Sequence, residues 1–93
     1  MPFDKLWIGT SWKMSKLRAD ARSFGRALAE SELAYGDAAQ LFVVPPFTAV
    51  AELADILAGT RVAVGVQNLH WADSGPWTGE ISGAMAADCG ATL

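Results

Sequence analysis

The sequence is short of the residues that form covalent cross-links and metal sites. Its 93 residues include one cysteine, Cys89, and one histidine, His70. A single cysteine excludes an internal disulfide and is typical of a protein from a reducing compartment. Because the sequence has neither a C-x-x-C nor an H-E-x-x-H motif, it predicts no metal site and no cofactor.

Basic charge and long apolar runs are also scarce. Seven lysines and arginines against ten acidic residues give a net charge of -3, which gives no basis for a nucleic-acid or polybasic membrane partner. No apolar run reaches the ~18 residues of a membrane span, and the N-terminus lacks a charged-then-apolar leader. We therefore expect a soluble cytoplasmic protein.

Glycine-rich nucleotide-binding motifs are missing too. The sequence contains neither G-x-G-x-x-G after its first apolar run nor G-x-x-x-x-G-K-[ST], which argues against a dinucleotide fold and a P-loop. The chain is 52% hydrophobic and 18% charged, and one small domain cannot bury that much apolar surface within itself. The chain therefore either associates or belongs to something larger.

Short apolar runs alternate with amphipathic segments along the chain. The runs have the composition of strands buried in a parallel sheet, and the segments between them have helical periodicity. The predicted order is strand Leu6–Thr10, helix Leu17–Leu33, strand Leu41–Val44, a helix from Thr48 to Leu57, strand Val62–Val66, a short helix through Met85 to Cys89, and a strand stub at Ala91–Leu93. This α/β alternation predicts βαβ units with parallel strands.

Capping residues predict where the helices begin and end. The expected N-caps of the three helices are Ser15, Thr48 and Ser82. Gly59 and Gly90 are expected just past the ends of the second and third helices. Gly25 lies inside the first helix, where it weakens the helix by about 1 kcal/mol relative to Ala, and we interpret it as a point of close packing on the sheet.

Two stretches are candidates for function. Lys13 follows the first strand as the one strong charge in an apolar and hydroxyl stretch, a position suited to a phosphate ester or a developing enolate. The alternative is a surface lysine lying over Trp12. The second stretch, the loop from Gln67 to Glu80, exceeds the ~2–6 residues of an ordinary βα connection and is expected to be functional.

These stretches resemble the triosephosphate isomerase family, in the right order and spacing along the whole chain. The matching segments are Ile8–Met14, Phe42–Thr48, Val64–Asn68, Trp77–Ser82 and Asp88–Gly90. The resemblance implies the N-terminal three βα units of a (β/α)8 TIM barrel and the start of its fourth strand, as one partial domain over residues 1–93. A full barrel takes ~250 residues, so this barrel is incomplete.

The resemblance also implies an activity. The family interconverts glyceraldehyde 3-phosphate and dihydroxyacetone phosphate in glycolysis and gluconeogenesis, without a cofactor or metal. The family's electrophilic His, its base Glu, its lid and its phosphate loop correspond to sequence after Leu93. His70 lies in the third loop and does not match the catalytic His. We therefore expect this piece to be inactive alone, and a non-catalytic, self-associating partial barrel is the alternative.

Two residues match family positions at the substrate. Lys13 matches the catalytic, substrate-binding lysine that stabilises the enediolate. Ser11 stands at a substrate-binding position where the family usually has Asn, and its hydroxyl is shorter and lacks an amide's paired donor and acceptor. The stretch Gly9–Lys13 resembles the branch that acts on four-carbon sugars such as erythrulose phosphate. A four-carbon substrate is therefore the alternative to a triose phosphate.

The resemblance further implies a homodimer, in which the third loop projects into the second subunit. The residues matched to this interface are Gln67, Trp77, Thr78 and Glu80. Thr78 would approach the partner's active site, and Glu80 would pair with an Arg after Leu93. The alternatives are that Trp71 and Trp77 pack on the chain's own third helix, and that Glu80 is a solvated carboxylate favoured by the helix dipole. Cys89 is expected to be buried, and Gly83 to loosen a helix start where the family commonly has Pro.

Overall fold

A computed structural model describes residues 6–35 and 38–93 of the chain, without the side chains of residues 33–35. The predicted alternation of strands and helices is confirmed. The elements are β1 (Leu6–Ser11), α1 (Arg18–Tyr35), β2 (Ala39–Val44), α2 (Phe47–Ile56), β3 (Ala63–Val64) and α3 (Gly83–Asp88). The first helix extends to Tyr35, two residues past its predicted end at Leu33; Gly36 and Asp37, which follow it, lie outside the described residues.

The three strands form a parallel sheet in the order β1-β2-β3. The register runs from Leu6 opposite Ala39 to Ser11 opposite Val44. β3 is shorter than the predicted Val62–Val66, because only two of its residues pair with β2 in strand geometry. The sheet formed by these strands is not closed, as the resemblance to the first part of a barrel implies.

The last three residues lie along β3. The Thr92 N–H donates to the Val64 carbonyl over 2.8 Å, and the Val66 N–H donates to the Leu93 carbonyl over 3.0 Å. The segment is not a regular strand. Its backbone nevertheless pairs where the predicted fourth strand should begin.

The core lies between one face of the sheet and the helices α1 and α2. Val43 from β2, Leu53 from α2 and Ala21 from α1 are fully buried in it. Phe42 alternates to the opposite face of β2, where its ring lies so close to Gly9 that a Cβ there would overlap it. Gly9 therefore lets the Phe42 ring pack directly against the backbone of β1.

β1 is exposed at all six positions. Its side chains Leu6, Trp7 and Ile8 are 67%, 52% and 49% exposed, which is unusual for a strand of such apolar composition. β1 pairs with β2 along one edge, and within the described residues no strand pairs with its other edge. Part of the apolar surface that the chain leaves uncovered thus lies on β1.

Two of the three predicted N-caps are wrong. Ser15 does not cap α1, because its Oγ donates to the Trp12 carbonyl over 2.7 Å. Asp20 instead accepts from the Leu17 N–H over 3.0 Å, and α1 begins at Arg18. Thr48 lies inside α2, whose N-cap is Pro46. Proline suits a helix start because its φ is already near the helical value.

The third predicted N-cap is confirmed: the Ser82 Oγ accepts a hydrogen bond from the Met85 N–H over 3.1 Å. Both predicted terminal glycines are confirmed as well. Gly59 and Gly90 have φ values of +84° and +100° just past the ends of α2 and α3, a left-handed conformation that glycine adopts without steric cost. The predicted burial of Cys89 is wrong, since it is exposed at the C-cap of α3.

Gly25 is a point of close packing, but on α2 rather than on the sheet. A Cβ at this position would lie 2.9 Å from the Leu53 Cδ2 atom and 3.1 Å from the Ile56 Cγ2 atom. The missing side chain lets α1 and α2 approach each other over the face of the sheet.

Among the described helices, none is both long and apolar enough to cross a membrane.

Candidate functional site

The candidate site is built around the turn that follows β1. The Trp12 N–H donates to the Val44 carbonyl over 3.1 Å and so extends the pairing with β2 by one residue. Lys13 then has a φ of +57°, in the left-handed region that non-glycine residues seldom adopt. A backbone conformation of this kind persists only where surrounding contacts hold it.

Gln67 holds the Lys13 turn. Its Nε2 atom donates to the Lys13 carbonyl over 3.1 Å and to the Val44 carbonyl over 3.0 Å. One side chain from the loop after β3 therefore ties the Lys13 turn to the end of β2. The sequence predicted Gln67 only as an interface residue, and this contact within its own chain was missed because it depends on the packing of three strands.

Lys13 and Gln67 line an open groove of about 260 Å³ at the carboxyl ends of the strands. The other lining residues are Met14, Pro46, Phe47 and Asn68. The carboxyl ends of parallel barrel strands are where TIM-barrel sites form. Lys13 is exposed and lines this groove, so its side chain can supply positive charge to a space suited to a small anionic ligand.

Ser11 is the last residue of β1, two positions before Lys13. It is exposed, and it is in register with Val44 of β2. Ser11 is not among the described residues that line the groove. The structure thus brings the two predicted substrate-binding residues to the same end of the sheet, but of the two only Lys13 lines the groove.

The lysine that lies over Trp12 is Lys16, not Lys13. Trp12 is buried and makes an edge-to-face contact with Phe24, with 5.2 Å between ring centroids. The Lys16 Nζ atom lies 5.4 Å from the centroid of Trp12. The structure thus places Lys16 over this ring, while Lys13 is exposed and lines the groove.

The long loop after β3 is ordered by an aromatic cluster of its own. His70 is buried between Trp71 and Trp77, with ring centroids 4.2 and 4.3 Å away. The His70 Nδ1 atom accepts a hydrogen bond from the backbone N–H of Ala72 over 3.1 Å. The backbone N–H of His70 donates to the Ile81 carbonyl over 2.8 Å. The side chain is thus engaged within the loop.

The predicted interface residues at the end of this loop point largely outward. Trp77 is 44% exposed, and both Thr78 and Glu80 are exposed. Trp77 also shares the lining of a small cavity with Met85 of α3, so the loop partly packs on the chain's own helix. Trp71 is 89% exposed, which leaves a large apolar ring on the surface.

Within residues 6–35 and 38–93, no group of three or more His, Cys, Asp or Glu side chains is arranged to hold a metal ion. The candidate site therefore consists of one lysine ammonium, a carboxamide that fixes the backbone around it, and a groove open to solvent. Such a site can bind an anion and stabilise negative charge.

Comparisons with known proteins agree with this architecture. L-erythrulose-1-phosphate isomerase from Brucella abortus is 58% identical over 85 residues, which are 91% of this chain and 33% of that protein. The isomerase of the same name from Mesorhizobium japonicum is 54% identical over 87 residues, 94% of this chain and 34% of that protein. The chain thus spans about a third of the length of the curated relatives it matches.

A solved structure has the same fold. The crystal structure of triosephosphate isomerase from Bartonella henselae superimposes with a TM-score of 0.77 at 30% sequence identity, over 94% of this chain and 35% of that one. The sequence profile of the family named triosephosphate isomerase matches residues 6–93. The chain therefore belongs to the triosephosphate isomerase family.

Proposed function

We propose that this chain supplies the first part of an isomerase active site that acts on a phosphorylated four-carbon ketose, L-erythrulose 1-phosphate. The observation that carries the proposal is the 54–58% identity to isomerases named for that substrate, against 30% to the triosephosphate isomerase of solved structure. Ser11 supports it, because a hydroxyl occupies less space than a carboxamide and leaves room for a longer substrate.

Lys13 is the residue of this chain that acts in the proposed reaction. An aldose–ketose isomerisation moves a proton between adjacent carbons and passes through an enediolate, whose oxygen carries negative charge. An ammonium at the groove stabilises that charge and the substrate phosphate. The proton-transferring groups are expected outside residues 1–93. Reaction without metal or cofactor, and a location in the cytoplasm, stay predictions from the sequence.

Triose phosphate isomerisation is the second candidate, supported by the family profile and by the solved structure. The two substrates are distinguished by measuring kcat/KM for L-erythrulose 1-phosphate and for dihydroxyacetone phosphate with the protein that the native gene encodes. We expect the four-carbon ketose to be preferred, and Ser11→Asn to reduce that preference. A preference for dihydroxyacetone phosphate would overturn the four-carbon proposal and favour glycolysis and gluconeogenesis as the pathways.

A polypeptide of residues 1–93 alone is expected to show no isomerase activity. Lys13 can stabilise charge, but the described residues at the groove provide no carboxylate to take the substrate proton. The test is turnover of either substrate by the purified 93-residue polypeptide, with Lys13→Ala as control. Turnover well above that control would contradict the division of the site proposed here.

We also propose self-association, as a homodimer or a higher oligomer. The support is the uncovered apolar strand β1 and the outward side chains of the long loop, including Trp77, Thr78 and Glu80. Exposed strand edges and aromatic side chains favour association. Sedimentation equilibrium of the 93-residue polypeptide is expected to show a dimer or larger species at a protein concentration of roughly tens of micromolar. A stable monomer under those conditions would contradict the proposal.

A further inference from the structure

Lys16 combines two features that the proposed function does not use. Its backbone has a φ of +78°, an uncommon conformation for a residue with a Cβ. Its ammonium lies over two aromatic rings, 5.4 Å from the centroid of Trp12 and 5.6 Å from that of Phe24. A cation at this distance is attracted by the electron-rich face of an aromatic ring.

The Trp12 ring has few other polar restraints. Its Nε1 atom is buried and has no hydrogen-bond partner within the described part of the chain. Its orientation therefore depends on packing, on the edge-to-face contact with Phe24 and on the Lys16 ammonium above it. Of these, the ammonium is the contact that comes from the same loop as Lys13.

The Trp12 backbone transmits its position to Lys13. Its N–H and the Gln67 Nε2 atom donate to the same Val44 carbonyl, over 3.1 and 3.0 Å. Its carbonyl accepts from the Ser15 Oγ over 2.7 Å. A shift of Trp12 would disturb the shared Val44 carbonyl and, one residue along the chain, the left-handed Lys13 turn that Gln67 holds.

We propose that Lys16 is a positioning residue: its ammonium fixes the Trp12 ring, and through Trp12 it fixes the turn that presents Lys13 to the groove. The catalytic part of this inference rests on the proposed function of Lys13. The conformational part stands on the contacts of Lys16, Trp12 and Gln67 alone.

The test compares three variants of the protein that the native gene encodes. Lys16→Met keeps most of the side-chain volume and removes the charge. Lys16→Arg keeps a cation that can lie over aromatic rings. Arg26→Met is the matched control, since it removes one positive charge from an exposed position of α1 without altering the Trp12 contact. Because Lys16 is exposed, we expect the Lys16→Met protein to fold.

The first readout is NMR, which does not depend on activity. In Lys16→Met, the indole N–H resonance of Trp12 and the side-chain amide resonances of Gln67 are expected to shift, the latter toward the values of a solvent-exposed amide. Lys16→Arg is expected to restore both, and Arg26→Met to leave both unchanged. An unchanged Gln67 amide in Lys16→Met would overturn the inference, because Lys16 would then have only a local role.

The second readout separates kcat from KM with L-erythrulose 1-phosphate. We expect Lys16→Met to lower kcat about three- to ten-fold, in line with one cation–aromatic contact. KM should change less, because a misplaced ammonium loses most where charge develops in the transition state. An unchanged kcat would overturn the catalytic part. Absence of isomerase activity in the wild-type protein would refute the proposed function instead, and the NMR readout would still decide the positioning role.

Discussion

Replacing Gln67 tests the contact that fixes Lys13. The side chain donates one hydrogen bond to the Lys13 carbonyl and one to the Val44 carbonyl, and an exposed hydrogen bond contributes about 0.5–1.5 kcal/mol net. Gln67→Ala lets water reach both carbonyls, so its cost in the free energy of unfolding should be about 1 kcal/mol. Gln67→Glu keeps the shape but places a carboxylate against two acceptor oxygens, and its cost at pH 7 should be about 2–3 kcal/mol.

The pH dependence of these two variants makes the test specific. A protonated carboxyl group donates one hydrogen bond, so the cost of Gln67→Glu should fall to about 1 kcal/mol as the pH is lowered through the carboxyl range. The cost of Gln67→Ala should stay constant. Urea unfolding at pH 7 and near pH 4, each relative to the wild type at the same pH, measures both. Equal effects of the two variants at pH 7 would refute the argument, because donation by Gln67 would then not hold the turn.

Two further predictions concern the packing and charge of the helices. Gly25→Ala should lower the free energy of unfolding, measured in urea, by about 1–2 kcal/mol, because the contact with fully buried Leu53 outweighs the gain in helix propensity. Gly83→Ala is the control, since its Cβ would meet Leu69 only at 4.0 Å. This control should be neutral or stabilising in the same measurement. Partial burial raises the pKa of Glu52, but Arg18 and Arg22 outweigh it and hold that pKa below its usual range. A carboxyl group whose pKa is lower in the folded than in the unfolded state adds stability above the unfolded-state pKa, and this stability is lost as the pH falls through the folded-state pKa. A Glu52→Gln variant should therefore lose less stability in acid than the wild type does. An identical loss in the two proteins would contradict this.

The order of the elements could be predicted from the sequence because it rests on local patterns. Continuous apolar runs such as Leu41–Val44 identified buried strands, and terminal glycines such as Gly59 and Gly90 identified helix ends. Helix starts were harder, because neighbouring polar residues compete for the same backbone groups. Ser15 was the expected cap of α1, but its hydroxyl is engaged by the Trp12 carbonyl.

The candidate site was only partly predictable. Lys13 could be identified from its position after a strand, and Ser11 from a resemblance. The contact of Gln67 with Lys13 joins residues 54 positions apart. The position of Lys16 over Trp12 is accompanied by a left-handed backbone at Lys16 that no sequence pattern specified. Gly25 signalled close packing, but which element approaches it depends on how α1 and α2 cross the sheet. The site therefore depends on tertiary contacts to a greater degree than the fold does.

The central claim is that Lys13 belongs to an isomerase site for a phosphorylated four-carbon ketose. The most direct measurement is ¹H NMR of L-erythrulose 1-phosphate in D2O with the protein that the native gene encodes, which follows isomerisation and exchange of the substrate proton together. The account predicts both processes in the wild type, and in Lys13→Ala a loss of at least about 100-fold, the size expected for removing one preorganised charge-stabilising group. Undiminished proton exchange in Lys13→Ala, or no exchange in the wild type, would contradict it.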